Sequence, residues 1–158
     1  MRATILLFTA LLLSGLALAQ DKPNAKDVAT IQKCIKEKTG RNWAWENCIG
    51  LISKPCTKNE EAMRSHAVIA CDRREQAVWD NILNETYRSL LTKLDETQQQ
   101  KLRDMQRAWI ASRDKSCSFF YDYFEGTMAN PMIAACEARE TGRRALFLLG
   151  FLNDAEGK

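Results

Sequence analysis

The sequence is poor in the residues that interrupt helices. Its 158 residues include only 7 glycines and 3 prolines, and no stretch sustains the alternation of β-branched and polar residues that is typical of a strand. This scarcity disfavours a turn-rich sheet protein, and the sequence predicts an all-α fold. The composition, 46% hydrophobic and 27% charged, is that of a globular domain able to bury a core.

The chain also lacks a strong excess of one charge and any recognisable metal motif. The formal net charge is +3 and both signs are interspersed, which argues against binding of nucleic acid or of an anionic membrane. His66 is the single histidine and there is no C-x-x-C motif, so we predict neither a metal site nor a cofactor. No nucleophile–base arrangement can be identified, and the acidic residues are scattered over predicted helix surfaces. We therefore expect a protein without catalytic activity.

One long hydrophobic run lies at the start of the chain. Arg2 precedes an apolar stretch over residues 5–18, and Ala17-Leu18-Ala19 has the small-x-small pattern of a cleavage site. The run is shorter than the ~20 apolar residues of a membrane span. We predict that residues 1–19 are a secretory signal peptide, with an uncleaved anchor as the alternative, and that the protein is periplasmic or secreted with no transmembrane segment after cleavage. Gln20, which is not a cysteine, would then begin the mature chain without lipid attachment.

Six cysteines in an exported chain indicate three disulfides. Sequence alone permits 15 pairings of six cysteines, but the spacing favours the sequential one, in which each bond joins consecutive helices. The predicted bonds are Cys34–Cys48, Cys56–Cys71 and Cys117–Cys136.

The stretch from Trp79 to Cys117 predicts two long amphipathic helices folded back on each other. Apolar residues recur at steps of three and four on both sides of a turn, and Asp95 with Gln98 forms a predicted capping box that starts the second helix. We therefore predict a disulfide-stapled helical bundle built on a long antiparallel helix hairpin. The apolar positions are Trp79, Ile82, Leu83, Tyr87, Leu90, Leu91, Leu94, Leu102, Met105 and Trp109.

Polar residues on the facing sides of this hairpin predict a structural network. A turn near residues 95–97 would place Asp80 level with Arg113, and a charge directed towards the interior needs a partner. We expect these two side chains to form an ion pair. The remaining members of the predicted network are Asn84, Tyr87, Gln106 and Trp109.

The chain divides into four predicted parts. After the signal peptide, residues 20–56 form a short disulfide-pinned helical hairpin, whose first helix is capped by Asn24 and ends near Lys38. Residues 57–152 form the main helical domain, whose last helix is opened by Asn130-Pro131. Residues 153–158 are expected to be a frayed tail.

The main domain resembles a known family. A pattern of residues that begins at Leu83 and ends at Cys136 is similar to that of the LprI-type family. It reads LN-x-x-Y, then QR-x-W-I-x-x-R-D-x-x-C, then a later C. The resemblance also includes Trp79-Asp80, Leu102-Arg103, Thr141 and Arg144. Members of this family are exported bacterial helical domains named for a lysozyme inhibitor. The resemblance implies a non-catalytic protein-binding domain whose partner is a lysozyme-like muramidase. The alternative is a periplasmic structural or ligand-binding module for another envelope component.

Two stretches are candidate contact surfaces for such a partner. The first is the predicted turn with Arg41, Trp43 and Trp45, because a guanidinium and an indole suit a cleft that contains two carboxylates and binds sugar rings. The alternative is that Trp43 and Trp45 close the core of the short hairpin.

The second stretch is the aromatic segment 119–125. We expect Phe120 and Phe124 to be buried, which leaves Tyr121 and Tyr123 outside as candidate contacts. Animal lysozymes are generally basic, so the acidic residues of this segment, Asp122 and Glu125, would supply local attraction. Core packing of the whole segment is the alternative.

Overall fold

The computed structural model describes residues 23–38, 44–58, 65–124 and 126–157, and within these ranges the regular structure is helical, with no strand. The predicted all-α fold is confirmed. None of the helices in these ranges is long and apolar enough to cross a membrane. The elements are α1 (Ala25–Lys38), a 3₁₀ helix (Ala44–Cys48), α2 (Ser53–Cys56), α3 (Ser65–Leu91), α4 (Glu96–Tyr123) and α5 (Ala129–Ala155).

The last helix, α5, is the centre of the packing. It lies most extensively along α3, and it also packs against α4 and the 3₁₀ helix. Its buried residues face almost every direction, as expected for a helix with neighbours on several sides. Gly142 allows the closest of these approaches, because a Cβ there would lie 3.1 Å from Ile49 and 3.2 Å from Trp79.

The capping box predicted at the start of α4 forms, although the turn between α3 and α4 lies at residues 92–95 and not at the predicted 95–97. The Gln98 N–H donates to the Asp95 carboxylate at 2.8 Å, and the Asp95 N–H donates to the Gln98 side chain at 3.0 Å. This capping box satisfies N–H groups that the first turn of α4 would leave unpaired. Leu90 and Leu102 are buried on either side of the turn and belong to one hydrophobic core.

Three disulfides connect consecutive elements in the sequential pairing predicted from the spacing. Cys34–Cys48 joins α1 to the 3₁₀ helix, Cys56–Cys71 joins α2 to α3, and Cys117–Cys136 joins α4 to α5.

The N-terminal helix is tied to α3 by a charge pair. The Arg74 guanidinium donates two hydrogen bonds to the buried Asp27 carboxylate, at 2.6 Å and 2.8 Å. These bonds favour the charged guanidinium and raise the pKa of Arg74. At the start of α1, the Lys26 N–H donates to the Asn24 side chain at 2.9 Å, so Asn24 caps this helix as predicted.

The bounds of α5 differ from the predicted ones. The helix begins at Ala129 and its N-cap residue, Met128, makes no side-chain capping bond. Asn130, the predicted cap, lies inside the first turn, where its side-chain oxygen accepts a hydrogen bond from the Tyr121 hydroxyl at 2.8 Å. The helix continues to Ala155, past the predicted start of the frayed tail.

Candidate functional site

A buried arginine lies between α4 and α5. The Arg144 side chain projects from α5, and the residue is only 8% exposed. Its Nε donates to the Gln106 side-chain oxygen on α4 at 2.8 Å. The pairs Gln106–Arg144 and Cys117–Cys136 show that the two helices run antiparallel.

Arg144 is the centre of a series of contacts between guanidinium groups and aromatic rings. Its guanidinium carbon lies 5.5 Å from the centroid of the Trp109 ring and 5.2 Å from that of the Phe147 ring. The series continues in both directions, because Arg113 lies 5.0 Å from the Trp109 centroid and Phe151 meets Phe147 edge-on at 5.0 Å. We call these five residues the cation–aromatic row.

The charge of Arg144 is not balanced by a carboxylate. Within the described parts of the chain Arg144 forms no ion pair, and its buried Nη2 atom has no hydrogen-bond partner. Burial disfavours the charged form and lowers the pKa of Arg144, although an arginine remains protonated at neutral pH. The two aromatic faces offset part of the desolvation cost. At Arg144 the row therefore holds a positive charge that no carboxylate of the described residues compensates.

The outer part of the row faces solvent. Phe147 is 45% exposed and Phe151 is 48% exposed, and they lie one turn apart. Arg113 is mostly covered, and it donates two hydrogen bonds to its neighbour Asp114 at 2.8 Å and 3.0 Å. Exposed rings beside a guanidinium have the composition of energetically important protein contacts. The arrangement suits a partner that presents an apolar surface with a carboxylate in it.

The predicted network between α3 and α4 does not form as expected. Asp80 accepts a hydrogen bond from Asn84 on its own helix at 3.0 Å, and Arg113 pairs with Asp114. The predicted ion pair between Asp80 and Arg113 is wrong. The physical reason is that α5 packs against both α3 and α4. Arg144 of α5, and not Asp80 of α3, is therefore the charged residue that forms a hydrogen bond with α4, at Gln106.

The other members of the predicted network are therefore divided between two places. Gln106 and Trp109 meet Arg144 in the cation–aromatic row, whereas Tyr87 packs against the hydrophobic core.

The aromatic segment at the end of α4 is largely outside the core. Tyr121 is exposed, Tyr123 is 70% exposed, and Asp122 is exposed between them. Phe120 and Phe124, which we expected to be buried, are only partly covered and stack on each other with centroids 6.0 Å apart. The segment therefore presents a second aromatic surface, at the opposite end of α4 from its capping box.

The predicted turn near the N-terminus is only partly within the described residues. Arg41 and Trp43 lie outside them, as does Glu125 of the aromatic segment. Trp45 is half-buried and packs against the hydrophobic core. Its buried indole N–H has no hydrogen-bond partner among the residues that the structure describes. The position of Trp45 therefore agrees with the alternative prediction, in which this side chain packs in the core and does not contact a partner.

A buried carboxylate holds the segment that precedes α2. Glu75 of α3 is 1% exposed and accepts hydrogen bonds from the main-chain N–H groups of Gly50, Ile52 and Ser53. The Trp79 indole N–H donates to the same carboxylate at 3.0 Å. Four donors around one carboxylate replace the hydration that it loses on burial. Glu75 is therefore a structural anchor.

A pocket of about 440 Å³ lies beside this anchor. The buried residues Asp72 and Glu75 both line it. Burial raises the pKa of Asp72, the nearby Glu75 raises it further, and a hydrogen bond with Ser53 opposes both effects. The cations Lys54, Arg139 and Arg143 also line the pocket.

Several of these residues carry no sequence signal that assigns their role. Arg144 belongs to the family pattern, but its role depends on which helix α5 faces, and periodicity does not determine that. A signal for the exposed rings was present, since Arg139, Arg143, Phe147 and Phe151 recur at every fourth residue of α5.

The family comparison covers the helices that carry the row. The family model described as lysozyme inhibitor LprI matches residues 56–148, which is more than half of the chain. The chain belongs to the LprI lysozyme inhibitor family. The matched region contains Arg113, Trp109, Arg144 and Phe147, whereas Phe151 and the Cys34–Cys48 disulfide lie outside it. Neither the curated proteins nor the solved structures include a significant match.

Membership of the LprI family has two consequences for this chain. It indicates a function of the lysozyme-inhibitor type, which requires a protein partner and which is generally not catalytic. Together with the three disulfides, it also indicates an exported protein.

Proposed function

We propose that this protein is an exported, non-catalytic inhibitor of a lysozyme-type muramidase, and that it acts by covering the substrate cleft of that enzyme. Residues 1–19 would direct export as a cleaved signal peptide, and the mature chain would act in the periplasm or outside the cell. The match to the lysozyme inhibitor LprI model over residues 56–148 carries this proposal.

The architecture suits binding through a preformed surface. The three disulfides and the central α5 hold the helices in fixed relative positions, so little conformational freedom is lost on association. Exposed aromatic side chains are present on two surfaces, at the end of α4 and along α5. Protein interfaces are enriched in such residues.

A second candidate function is a periplasmic binding module for another envelope component. The observation that favours it is the pocket of about 440 Å³ lined by Asp72 and by three cationic side chains, because a pocket of this size can hold a small ligand. This candidate predicts a ligand that copurifies with the chain, and it requires no effect on cell-wall lysis.

The proposal is tested with the oxidised mature chain, residues 20–158. We expect it to slow lysis of bacterial cell walls by one or more members of a panel of muramidases, and to coelute with that enzyme in gel filtration as a stoichiometric complex. The control is the same chain after reduction and alkylation of its cysteines, which should lose the effect because its fold depends on the disulfides. Full lysis rates and separate elution across the whole panel would contradict the proposal.

A further inference from the structure

We propose that the cation–aromatic row is the surface with which this chain binds a muramidase, and that the row docks over the carboxylates of the enzyme's substrate cleft. This inference rests on the proposed function and identifies its contact surface. Glycosidases of this type carry two carboxyl groups that flank the scissile bond. The partner is therefore a protein with acidic groups inside an apolar, sugar-binding groove.

Charge is the first reason for choosing this surface. Arg144 holds a guanidinium within 5.5 Å of two ring centroids, and no carboxylate of the described residues pairs with it. A charge in surroundings of low dielectric is felt at longer range than one in water. A carboxylate placed beside the edges of the Trp109 and Phe147 rings would therefore gain attraction from Arg144 without direct contact. Arg113, which is mostly covered and is paired with Asp114, would add a second guanidinium 5.0 Å from the Trp109 centroid.

The exposed rings are the second reason. Phe147 and Phe151 stand on the outside of α5 with nearly half of their surfaces in contact with solvent, and each would lose water on docking. Their positions are fixed, because Arg144 contacts Phe147 and Phe147 contacts Phe151. Arg144 is thus a positioning residue as well as a source of positive potential, whereas the two phenylalanines make the contact.

The aromatic surface at the end of α4 is less suitable for an acidic cleft. Phe119 and Tyr123 are also exposed and one turn apart, with centroids separated by 6.3 Å. Asp122 is exposed in the same turn and forms no ion pair among the described residues, whereas Asp114, the carboxylate beside the row, is paired with Arg113. The carboxylate of Asp122 would repel those of the cleft, although it would suit a basic surface elsewhere on a partner. The pair Phe119 and Tyr123 is therefore a matched control for the pair Phe147 and Phe151.

The experiment compares two double variants of the oxidised mature chain. The first variant carries Phe147→Ser and Phe151→Ser, and the second carries Phe119→Ser and Tyr123→Ser. We measure the Kd for a muramidase that the unmodified chain inhibits, and the Tm of each variant. We expect the first variant to weaken binding by about 100-fold, as for the loss of a central contact pair, and the second by less than about threefold. An oligomer of N-acetylglucosamine, which fills the cleft, should compete with the unmodified chain.

Two further variants test the role of charge. Arg113→Gln should weaken binding by about tenfold and reduce its dependence on salt concentration, because screening then acts on one cation fewer. Arg143→Gln is the control, because Arg143 is on the same exposed side of α5 as Phe147 but is not part of the row. Arg143 is paired with two carboxylates, Glu46 and Glu140, whereas among the described residues Arg113 is paired with Asp114 alone. We expect Arg143→Gln to leave binding within about threefold.

The outcomes separate this inference from the proposed function. If the unmodified chain inhibits a muramidase but the Phe119 and Tyr123 variant loses binding and the Phe147 and Phe151 variant keeps it, the inference is wrong and the proposed function stands. Equal losses in both variants, or no competition by the oligosaccharide, would also overturn it. If the chain binds no muramidase, the proposed function fails and this inference fails with it. Should the first double variant be unfolded, Phe151→Asp alone replaces it, with an expected loss of about tenfold.

Discussion

At the scale of single residues, burial of charge determines much of the structure. Glu75 is the clearest example, because its carboxylate has almost no contact with water and is surrounded by four N–H donors. The sequence could not have predicted this role. Glu75 lies one turn before Trp79 on a predicted amphipathic helix, but its main-chain partners come from a segment more than 20 residues earlier.

We expect Glu75→Gln to destabilise the fold by about 2–4 kcal/mol, because an amide offers one accepting oxygen and turns its NH₂ group towards N–H donors. The free energy of unfolding is measured by urea denaturation. Glu85→Gln is the control, since Glu85 is exposed on the same helix and, among the described residues, accepts a single hydrogen bond, from the Asn81 side chain at 3.0 Å. Equal stabilities for the two variants would show that the buried bonds contribute little.

Asp72 predicts a dependence of stability on pH. Its pKa in the folded state is raised above the ordinary value of 3.8, so ionisation is harder in the folded than in the unfolded chain. The protonated form of Asp72 contributes its full stabilisation below about pH 3.8, and this stabilisation is lost as the pH rises through the raised pKa. We therefore expect Asp72→Asn to have a higher Tm than the unmodified chain at pH 7, with a difference that shrinks as the pH falls towards 3.8. A difference in Tm that stays constant from pH 7 to pH 3.8 would contradict this prediction.

At the scale of helices, the sequence was informative about each element and less so about its neighbours. Hydrophobic periodicity and the capping box at Asp95 and Gln98 located α3 and α4, because both signals are local. The cysteine spacing gave the disulfide pairing for the same reason. The partner of Arg113 was predicted wrongly, because facing positions were assigned to α3 and α4 as if no third helix contacted both.

The packing of α5 predicts opposite effects at its two interior glycines. A Cβ at Gly142 would press on Ile49 and on the fully buried Trp79, whereas at Gly150 the nearest atom is 4.0 Å away, on Trp45. Replacing a helical glycine by alanine contributes up to about 1 kcal/mol of propensity, but overpacking costs about 1–3 kcal/mol. We expect Gly150→Ala to raise the Tm and Gly142→Ala to lower it. Equal shifts would mean that Ile49 moves aside without cost.

At the scale of the whole molecule, the part before the family match is continuous with the matched core. Ile31, Cys48 and Ile52 belong to the same hydrophobic core as Trp79 and Leu148. Two buried carboxylates, Asp27 and Glu75, fasten this part to α3. The sequence suggested a separate short hairpin over residues 20–56, because disulfide spacing and composition do not indicate which surfaces are shared.

We therefore expect a chain reduced to residues 57–158, with Cys71→Ser to avoid a free thiol, to lose cooperative unfolding. Removal of the N-terminal part would uncover Trp79 and leave Glu75 without three of its four donors. Near-ultraviolet circular dichroism during heating measures the effect, and the chain of residues 23–158 is the control. A sharp transition at the same Tm in both chains would show that the matched region folds alone.

The three hydrogen bonds between Glu75 and main-chain N–H groups have a consequence for protein engineering. They depend on the conformation of the backbone at residues 50–53 and not on the identity of the side chains there. Leu51 and Ser53 can therefore be exchanged freely as far as these hydrogen bonds are concerned, whereas Gly50, with φ of +93°, is restricted by conformation. Ile52 is part of the hydrophobic core and Leu51 packs against it. Ser53 forms a hydrogen bond with Asp72. A foreign peptide would therefore have to keep both the backbone path and these contacts to be held by the same carboxylate.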